Sequence, residues 1–324
     1  MALTLQPNAG QPTHTDGFVT VGDNLKLSYR HWSAVKAGNT QPVFLLIHGL
    51  ASGLRIWDFV AAELVRLTGG TVVAFDQRGH GLSDKPDMGY DNAQIVADDF
   101  QLATALKLEN PIVVGHSWGA TIALAYAATH PGLVKGLVLV DGGLGNMQDR
   151  KGLTWERAER ELAPPDFAGT PKDAFLDFYR RGEQGRYLGP VWNAGLEDII
   201  LNIVQLRPDN TVAPRLSRTN HMKILRALWE SDNYALAEQV HCPVLLISAE
   251  TLPELDNSPL AEWFRLKREG AARLQSRLAC TPHTEFVVMP ATIHDIPLQR
   301  PHELTQAIVR FGSGTGILPG RLGL

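Results

Sequence analysis

The chain has 324 residues and a formal net charge of −4, with 44% hydrophobic and 20% charged residues. That length buries a substantial core, as one domain carrying an insertion or as two domains, and the composition is that of ordinary soluble proteins. The charge excludes the basic footprint that nucleic acid or an anionic membrane surface demands. Between Met1 and Phe18 there is no basic start followed by an apolar run, so no secretory leader is expected. Short apolar, β-branched runs predict strands at Phe18–Val21, Leu25–Trp32, Val43–His48, Val72–Asp76, Ile112–Ser117, Gly136–Asp141, Val244–Ala249 and Phe286–Met289. Helices are predicted near Ile56–Leu67, Asp91–Leu106, Trp118–Thr129 and Pro301–Phe311, with another between Leu260 and Leu278. Alternation of this kind predicts an α/β architecture, a mostly parallel sheet covered on both faces.

The rhythm breaks between Gly142 and Val240, where charged, aromatic-bearing helical segments such as Trp155–Leu162 and Ala174–Tyr179 appear. The stretch Val204–Leu216, with Arg207-Pro208-Asp209-Asn210-Thr211 inside it, suits a small hairpin. The run Gly312-Ser313-Gly314-Thr315-Gly316 is expected to be flexible. No apolar run is long enough to span a membrane. Cys242 and Cys280 make no disulfide framework, which favours a reducing, cytoplasmic compartment.

The most informative stretch is Gly115-His116-Ser117-Trp118-Gly119, between the apolar run Pro111-Ile112-Val113-Val114 and a helix-like segment. Strand, sharp turn and helix with Ser at the apex is the layout of a nucleophile elbow. A turn that tight brings strand and helix too close for side chains at the −2 and +2 positions, so glycine sits there. The Ser hydroxyl then projects clear of the sheet, and the helix N-terminus behind it favours developing negative charge. Pro42 to Leu50 is an apolar strand ending in His48-Gly49. Val72 to Asp84 carries Asp76-Gln77-Arg78-Gly79-His80-Gly81-Leu82-Ser83, and Phe286 to Pro290 leads to Ile293-His294-Asp295-Ile296-Pro297.

These four motifs, in this order and each at a strand end, resemble the α/β-hydrolase superfamily over most of the chain. The resemblance implies the α/β-hydrolase fold: a mostly parallel eight-stranded sheet flanked by helices, with a helical cap inserted after strand 6. Residues 1–141 and 241–324 would form the core and 142–240 the cap, the bland alternative being a separate domain with its own task. It also implies a serine nucleophile, a histidine base, an acid that orients the base, and an oxyanion hole. Ser117 is the expected nucleophile. Of eleven histidines, only His294 follows the last strand, as the order Ser, acid, His requires. His48 and His80 belong to turns on other strands, His116 inside the elbow is expected to point the wrong way, and the rest are expected at the surface. The backbone N–H groups of Leu50 and Trp118 are expected to form the oxyanion hole, while Asp76, Arg78 and Asp84 hold the turn after the fourth strand.

The acid is expected at Asp141, with two other positions kept as alternatives. In Val244 to Leu252 the place after the seventh strand where the family carries Asp holds Leu252. At the end of the sixth strand stands Asp141, a placement that resembles the haloalkane dehalogenases; Glu250 and Asp256 are the alternatives. Serine at 117 argues against the epoxide hydrolases and haloalkane dehalogenases themselves, whose nucleophile is Asp. Nothing resembles a nucleotide loop, a zinc motif or a Cys-x-x-Cys pair, so no cofactor or metal is implied. The expected activity is hydrolysis of a carboxylic ester or lactone, with a small-molecule ester as partner, no nucleic acid, no membrane, and homo-oligomer formation left open. The elbow and Asp76-Gln77-Arg78-Gly79 also resemble proline iminopeptidases, and carbon–carbon bond hydrolases share the same architecture. The iminopeptidase reading needs cap carboxylates to hold an amine, for which Glu156, Glu159, Glu161 and Glu183 are candidates. A ligand receptor with an idle triad is the reading from another class, and a fluorophosphonate probe separates it from the enzymes.

Overall fold

The computed structural model describes residues 13–34, 41–181, 188–251 and 259–318; the candidates Glu183, Leu252 and Asp256 lie outside the described residues. The main sheet has eight strands: β1 (Thr13–Val21), β2 (Leu25–Ser33), β3 (Val43–Ile47), β4 (Thr71–Phe75), β5 (Ile112–His116), β6 (Gly136–Val140), and two more after an insertion. Those two are β9 (Val244–Glu250) and β10 (Thr284–Pro290), and the spatial order is β1-β2-β4-β3-β5-β6-β9-β10. Among the described residues only β2 runs against its neighbours in this sheet; from β4 to β10 every pairing is parallel. All eight expected strands are present, with ends shifted by a few residues.

The central strands read as unbroken apolar runs because both sheet faces are covered. Phe44, Leu46, Val114, Val138, Leu245 and Ile247 face one layer, with α1 (Asp58–Thr68) and the last helix, Pro301–Gly314. Leu45, Ile47, Val113, Leu137, Leu139 and Leu246 face the other, with α2 (Asn92–Ala105) and α3 (Trp118–Thr129). Helix α3 is apolar all round and buried from Trp118 to Ala127, the signature of a helix wholly inside the core.

Between β6 and β9 lie α4 (Trp155–Glu161), α5 (Lys172–Arg181), α6 (Ala194–Asn202), the hairpin β7 (Val204–Leu206) and β8 (Val212–Pro214), α7 (Arg218–Glu230) and α8 (Asn233–Ala237). The hairpin expected from 204–216 is an antiparallel pair, its turn closed by Asn210 at φ 61°. The insertion is tied to the core by Arg55 on Asp198 at 2.7 Å and by Asn220 on the Tyr90 hydroxyl at 2.8 Å. Ala237 and Val240 are buried in the same apolar cluster as α3. Chain order continues with α9 (Pro259–Arg277), α10 (Ile296–Gln299) and α11 (Pro301–Gly314).

The tail departs from its expected flexibility. Helix α11 continues through Gly312 and Gly314, and the Leu318 N–H folds back onto the Gly312 carbonyl at 2.9 Å. A Cβ at Gly312 would lie 2.5 Å from the Leu318 side chain, so glycine here serves close packing of the buried Leu318. Among the described residues no helix is long and apolar enough to cross a membrane.

Candidate active site

Ser117 caps the N-terminus of α3 with φ 56° and ψ −125°, a strained backbone that costs about 1–3 kcal/mol and persists only where its surroundings enforce it. They do so here. A Cβ on Gly115 would lie 2.2 Å from the Gly119 carbonyl oxygen, and one on Gly119 would lie 2.4 Å from that of Ile47. Any side chain at either position would push strand and helix apart and release the turn. The Ser117 N–H is fixed on the Val140 carbonyl at 3.0 Å, which locks the elbow to the end of β6.

The loop after β10 brings His294 to the elbow. Thr292 N–H donates to the Glu250 carbonyl at 3.1 Å, Ile293 N–H to Gln299 Oε1 at 2.8 Å, and the His116 ring, through Nε2, to the His294 carbonyl at 2.8 Å. His294 Nε2 then stands 2.8 Å from Ser117 Oγ, and Nδ1 stands 2.7 Å from Asp141 Oδ2. The structure brings Ser117, His294 and Asp141 together.

Asp141 is buried and accepts two further hydrogen bonds on Oδ1, from Ala249 N–H at 2.8 Å and Lys267 Nζ at 2.7 Å. Burial alone would raise its pKa. The His294 hydrogen bond and the charges of His294 and Lys267 outweigh burial and bring it down to about 2, so it is an anion. Partial desolvation acts to depress His294, whose side chain stays half exposed, but the hydrogen bond and charge of Asp141 reverse this and raise it above the ordinary value. Glu250 faces elsewhere: both of its carboxylate oxygens accept from the Arg268 guanidinium.

Trp118 is the first residue of α3, where helix geometry leaves the N–H without an intrahelical acceptor. Leu50 follows a turn fixed by His48, whose Nδ1–H donates to the Gly49 carbonyl at 2.7 Å while Nε2 accepts from Gln77 N–H at 3.0 Å. Gln77 returns the bond, its side-chain amide donating to the His48 carbonyl at 2.7 Å. His80 stacks on Trp118, ring centroids 5.5 Å apart. Asp76 accepts from Leu54 and Leu82 N–H groups, Asp84 from Lys26 N–H, and Arg78 pairs in a fork with Asp98, so these residues hold backbone turns as the sequence suggested.

Two histidines differ from expectation. His116 does not serve Ser117, but its ring is not idle: it supports the loop of His294, and burial, followed by the nearby His294, pushes its pKa down to about 4. A neutral ring can donate from Nε2 with Nδ1 bare, as observed. His221 is not at the surface. It is buried on α7 and lines the cavity beside Ser117, its pKa pushed down to about 4 mainly by burial. Neither role has a sequence signal, because both depend on which distant segment packs against the ring.

The cavity over Ser117 and His294 has a volume of about 410 Å³. Its walls are mostly apolar: Leu50 and Trp118 from the core, Leu144 from the loop after β6, Leu162 behind α4, and Leu225 and Leu228 on α7. Glu156, Glu159 and Glu161 are exposed on α4 and do not line it. Among the described residues no group of three or more His, Cys, Asp or Glu is placed to hold a metal ion.

A family profile described as alpha/beta hydrolase fold matches residues 42–294, from the start of β3 to the histidine of the site. The chain belongs to this family. It is 37% identical over 108 residues (33% of this chain, 38% of the relative) to 2-(acetamidomethylene)succinate hydrolase of Mesorhizobium japonicum. A second relative, non-heme chloroperoxidase of Burkholderia pyrrocinia, is 34% identical over 111 residues (34% of this chain, 38% of the relative). The matched stretches thus span little more than a third of the length of these relatives. Among solved structures, E-2-(acetamidomethylene)succinate hydrolase aligns with a TM-score of 0.65 at 24% identity, covering 92% of this chain and 99% of that one. The enol-lactonase of Burkholderia xenovorans aligns at 0.64 and 19%, covering 91% and 99%. At these identities the family's common property is the fold.

Proposed function

We propose that the protein is a serine hydrolase of carboxylic esters or lactones. The observation that carries this reading is the continuous line Asp141, His294, Ser117, joined at 2.7 and 2.8 Å and opening onto a mostly apolar cavity of about 410 Å³. His294 Nε2 takes the proton of Ser117 Oγ as the oxygen attacks the ester carbonyl. The carbonyl oxygen becomes an oxyanion, held by the N–H groups of Leu50 and Trp118 with the N-terminus of α3 behind them. The imidazolium passes its proton to the departing alcohol, leaving the acyl group on Ser117. Water then repeats the cycle, losing a proton to His294 as it attacks and releasing the acid. Asp141 remains ionised throughout, holding Nδ1–H and stabilising the imidazolium.

The elements between Gly142 and Val240 act in this reading as a cap, since α7 and the end of α4 supply the cavity wall facing Ser117. Glu156, Glu159 and Glu161 are exposed, and Asp149, the carboxylate of this segment that does line the cavity, is occupied by Arg273 and the Tyr234 hydroxyl; both facts favour an ester over a free-amine peptide substrate. The test is a series of p-nitrophenyl esters from acetate to palmitate beside an aminoacyl-β-naphthylamide, with wild type and Ser117→Ala. Ester turnover should be lost in the variant by several orders of magnitude, together with fluorophosphonate labelling. Residual turnover within about tenfold of wild type would refute the nucleophile, because removing a triad serine costs far more.

A further inference from the structure

Lys267 projects from α9 into the site. Its ammonium donates at 2.7 Å to Asp141 Oδ1 and at 2.7 Å to the Ala249 carbonyl, with the lysine side chain 11% and the aspartate side chain 4% exposed. Such a lysine sheds most of its hydration, and only fixed acceptors of this kind compensate for that. The approach is built into the helix. One turn beyond Lys267, a Cβ on Gly270 would lie 2.5 Å from the Leu144 carbonyl oxygen, so α9 meets the loop after β6 backbone to backbone. One turn before it, the buried Phe264 ring lies 5.3 Å from the ammonium and covers it.

We propose that Lys267 is a positioning residue of the triad, which turns the Asp141 carboxylate so that Oδ2 is reserved for His294 and moderates the basicity of His294 with its charge. The proposal rests on the serine-hydrolase reading above. Lys267 and Ala249 N–H both occupy Oδ1, so rotating the carboxylate to exchange its oxygens would break two bonds at once. The charge acts in the same place. His294 is faced by Asp141 from the end of β6, by Asp295 beside it, by Lys267 from α9 and by the neutral His116 from β5. The two carboxylates favour the imidazolium. Lys267 opposes them and keeps the ring available as a base nearer neutrality.

The decisive measurement is the titration of His294 by NMR in 15N-histidine-labelled protein, its resonance assigned with His294→Gln. Removing the charge in Lys267→Met or Lys267→Gln should raise the His294 midpoint by about one pH unit, the scale of one charge acting across a few ångströms of partly screened medium. Lys267→Arg keeps the charge and should stay within about 0.3 units of wild type. The pH dependence of fluorophosphonate labelling at Ser117 should move with the NMR midpoint. Its plateau should fall about tenfold in Lys267→Met, and less in Lys267→Gln, whose amide can still donate to Oδ1. A His294 midpoint unchanged in a folded Lys267→Met protein would overturn the proposal; if that variant does not fold, Lys267→Gln gives the same reading. If the wild-type protein fails to label at all, the hydrolase reading fails instead, and the NMR titration still decides the role of Lys267.

Discussion

Asp141 and His294 are 153 positions apart in the chain and 2.7 Å apart in the structure, one at the end of β6 and the other after β10. The contact crosses β9, which lies between those strands, and it holds because the Asp141 N–H is pinned to the Ile247 carbonyl at 2.8 Å while Oδ1 takes the Ala249 N–H. The carboxylate therefore reaches over β9 with its backbone fixed.

That fixed contact predicts which carboxylate serves the histidine. Asp141→Asn should lower kcat by about three to four orders of magnitude in protein that remains folded, because an amide favours the wrong imidazole tautomer and cannot stabilise the imidazolium. Glu250→Gln should cost less than about 1 kcal/mol of stability, since its Arg268 partner is 59% exposed, and should leave kcat within about tenfold. Steady-state kinetics on both variants check this, and the reverse ranking would move the acid to β9.

Much of this was legible in the sequence, for identifiable reasons. Each core strand is an apolar run because it is buried on both faces, and Gly115 and Gly119 mark the elbow because nothing larger fits there. The sequence favoured Asp141 as the acid but left Glu250 open, because both stand at the ends of adjacent parallel strands; the His294 contact on Asp141 and the Arg268 fork on Glu250 separate them. His116, His221 and Lys267 were missed for the same reason, since their partners lie on other elements. Gly312 to Gly316 misled because composition registers glycine as freedom, whereas Gly312 is packed under Leu318.

The pH profile carries a signed prediction. With the His294 pKa raised above 6.5, the imidazolium persists to higher pH, and only the neutral ring can accept the Ser117 proton. The acid limb of kcat/KM should therefore have its midpoint above 6.5 and fall tenfold per pH unit below it. A midpoint below about 6 would show that Asp141 is not ionised beside the ring. Stability follows the same pair. The raised His294 contributes fully below 6.5 and less as pH rises through its folded value; the lowered Asp141 contributes above 3.8 and less as pH falls through about 2. The pair's contribution, read as the difference in urea midpoint between wild type and Asp141→Asn, should be greatest between 3.8 and 6.5.

Asp99 on α2 is buried, its Oδ2 has no hydrogen-bond partner among the described residues, and burial, then the neighbouring Asp98, raise its pKa well above the ordinary value. A raised acid favours folding while protonated. Its cost appears as pH rises through the unfolded value, growing by about 1.4 kcal/mol per pH unit until the folded value is reached. Asp99→Asn keeps the shape without the charge, so urea denaturation should show a stabilised protein at pH 7 and no difference near pH 3. Equal stability at both pH values would mean that Asp99 has a partner in solution.

The last prediction concerns the wall facing Ser117. Leu228 lies half-buried on α7, at the edge of the apolar cluster around α3, and lines the cavity with Ser117 and His294, so a larger side chain there takes volume from the cavity. Leu228→Trp should leave labelling of Ser117 by a small fluorophosphonate within about threefold of wild type, because the triad contacts do not involve α7. Turnover of long-chain p-nitrophenyl esters should fall more than about tenfold relative to acetate, the cost of displacing one or two methylenes from an apolar pocket. An unchanged chain-length profile would show that substrate does not run along α7, and the cap would then need another role. Equal loss for acetate and palmitate would instead indicate that α7 has shifted and distorted the triad, and the pH profile of the variant would show it as a moved His294 limb.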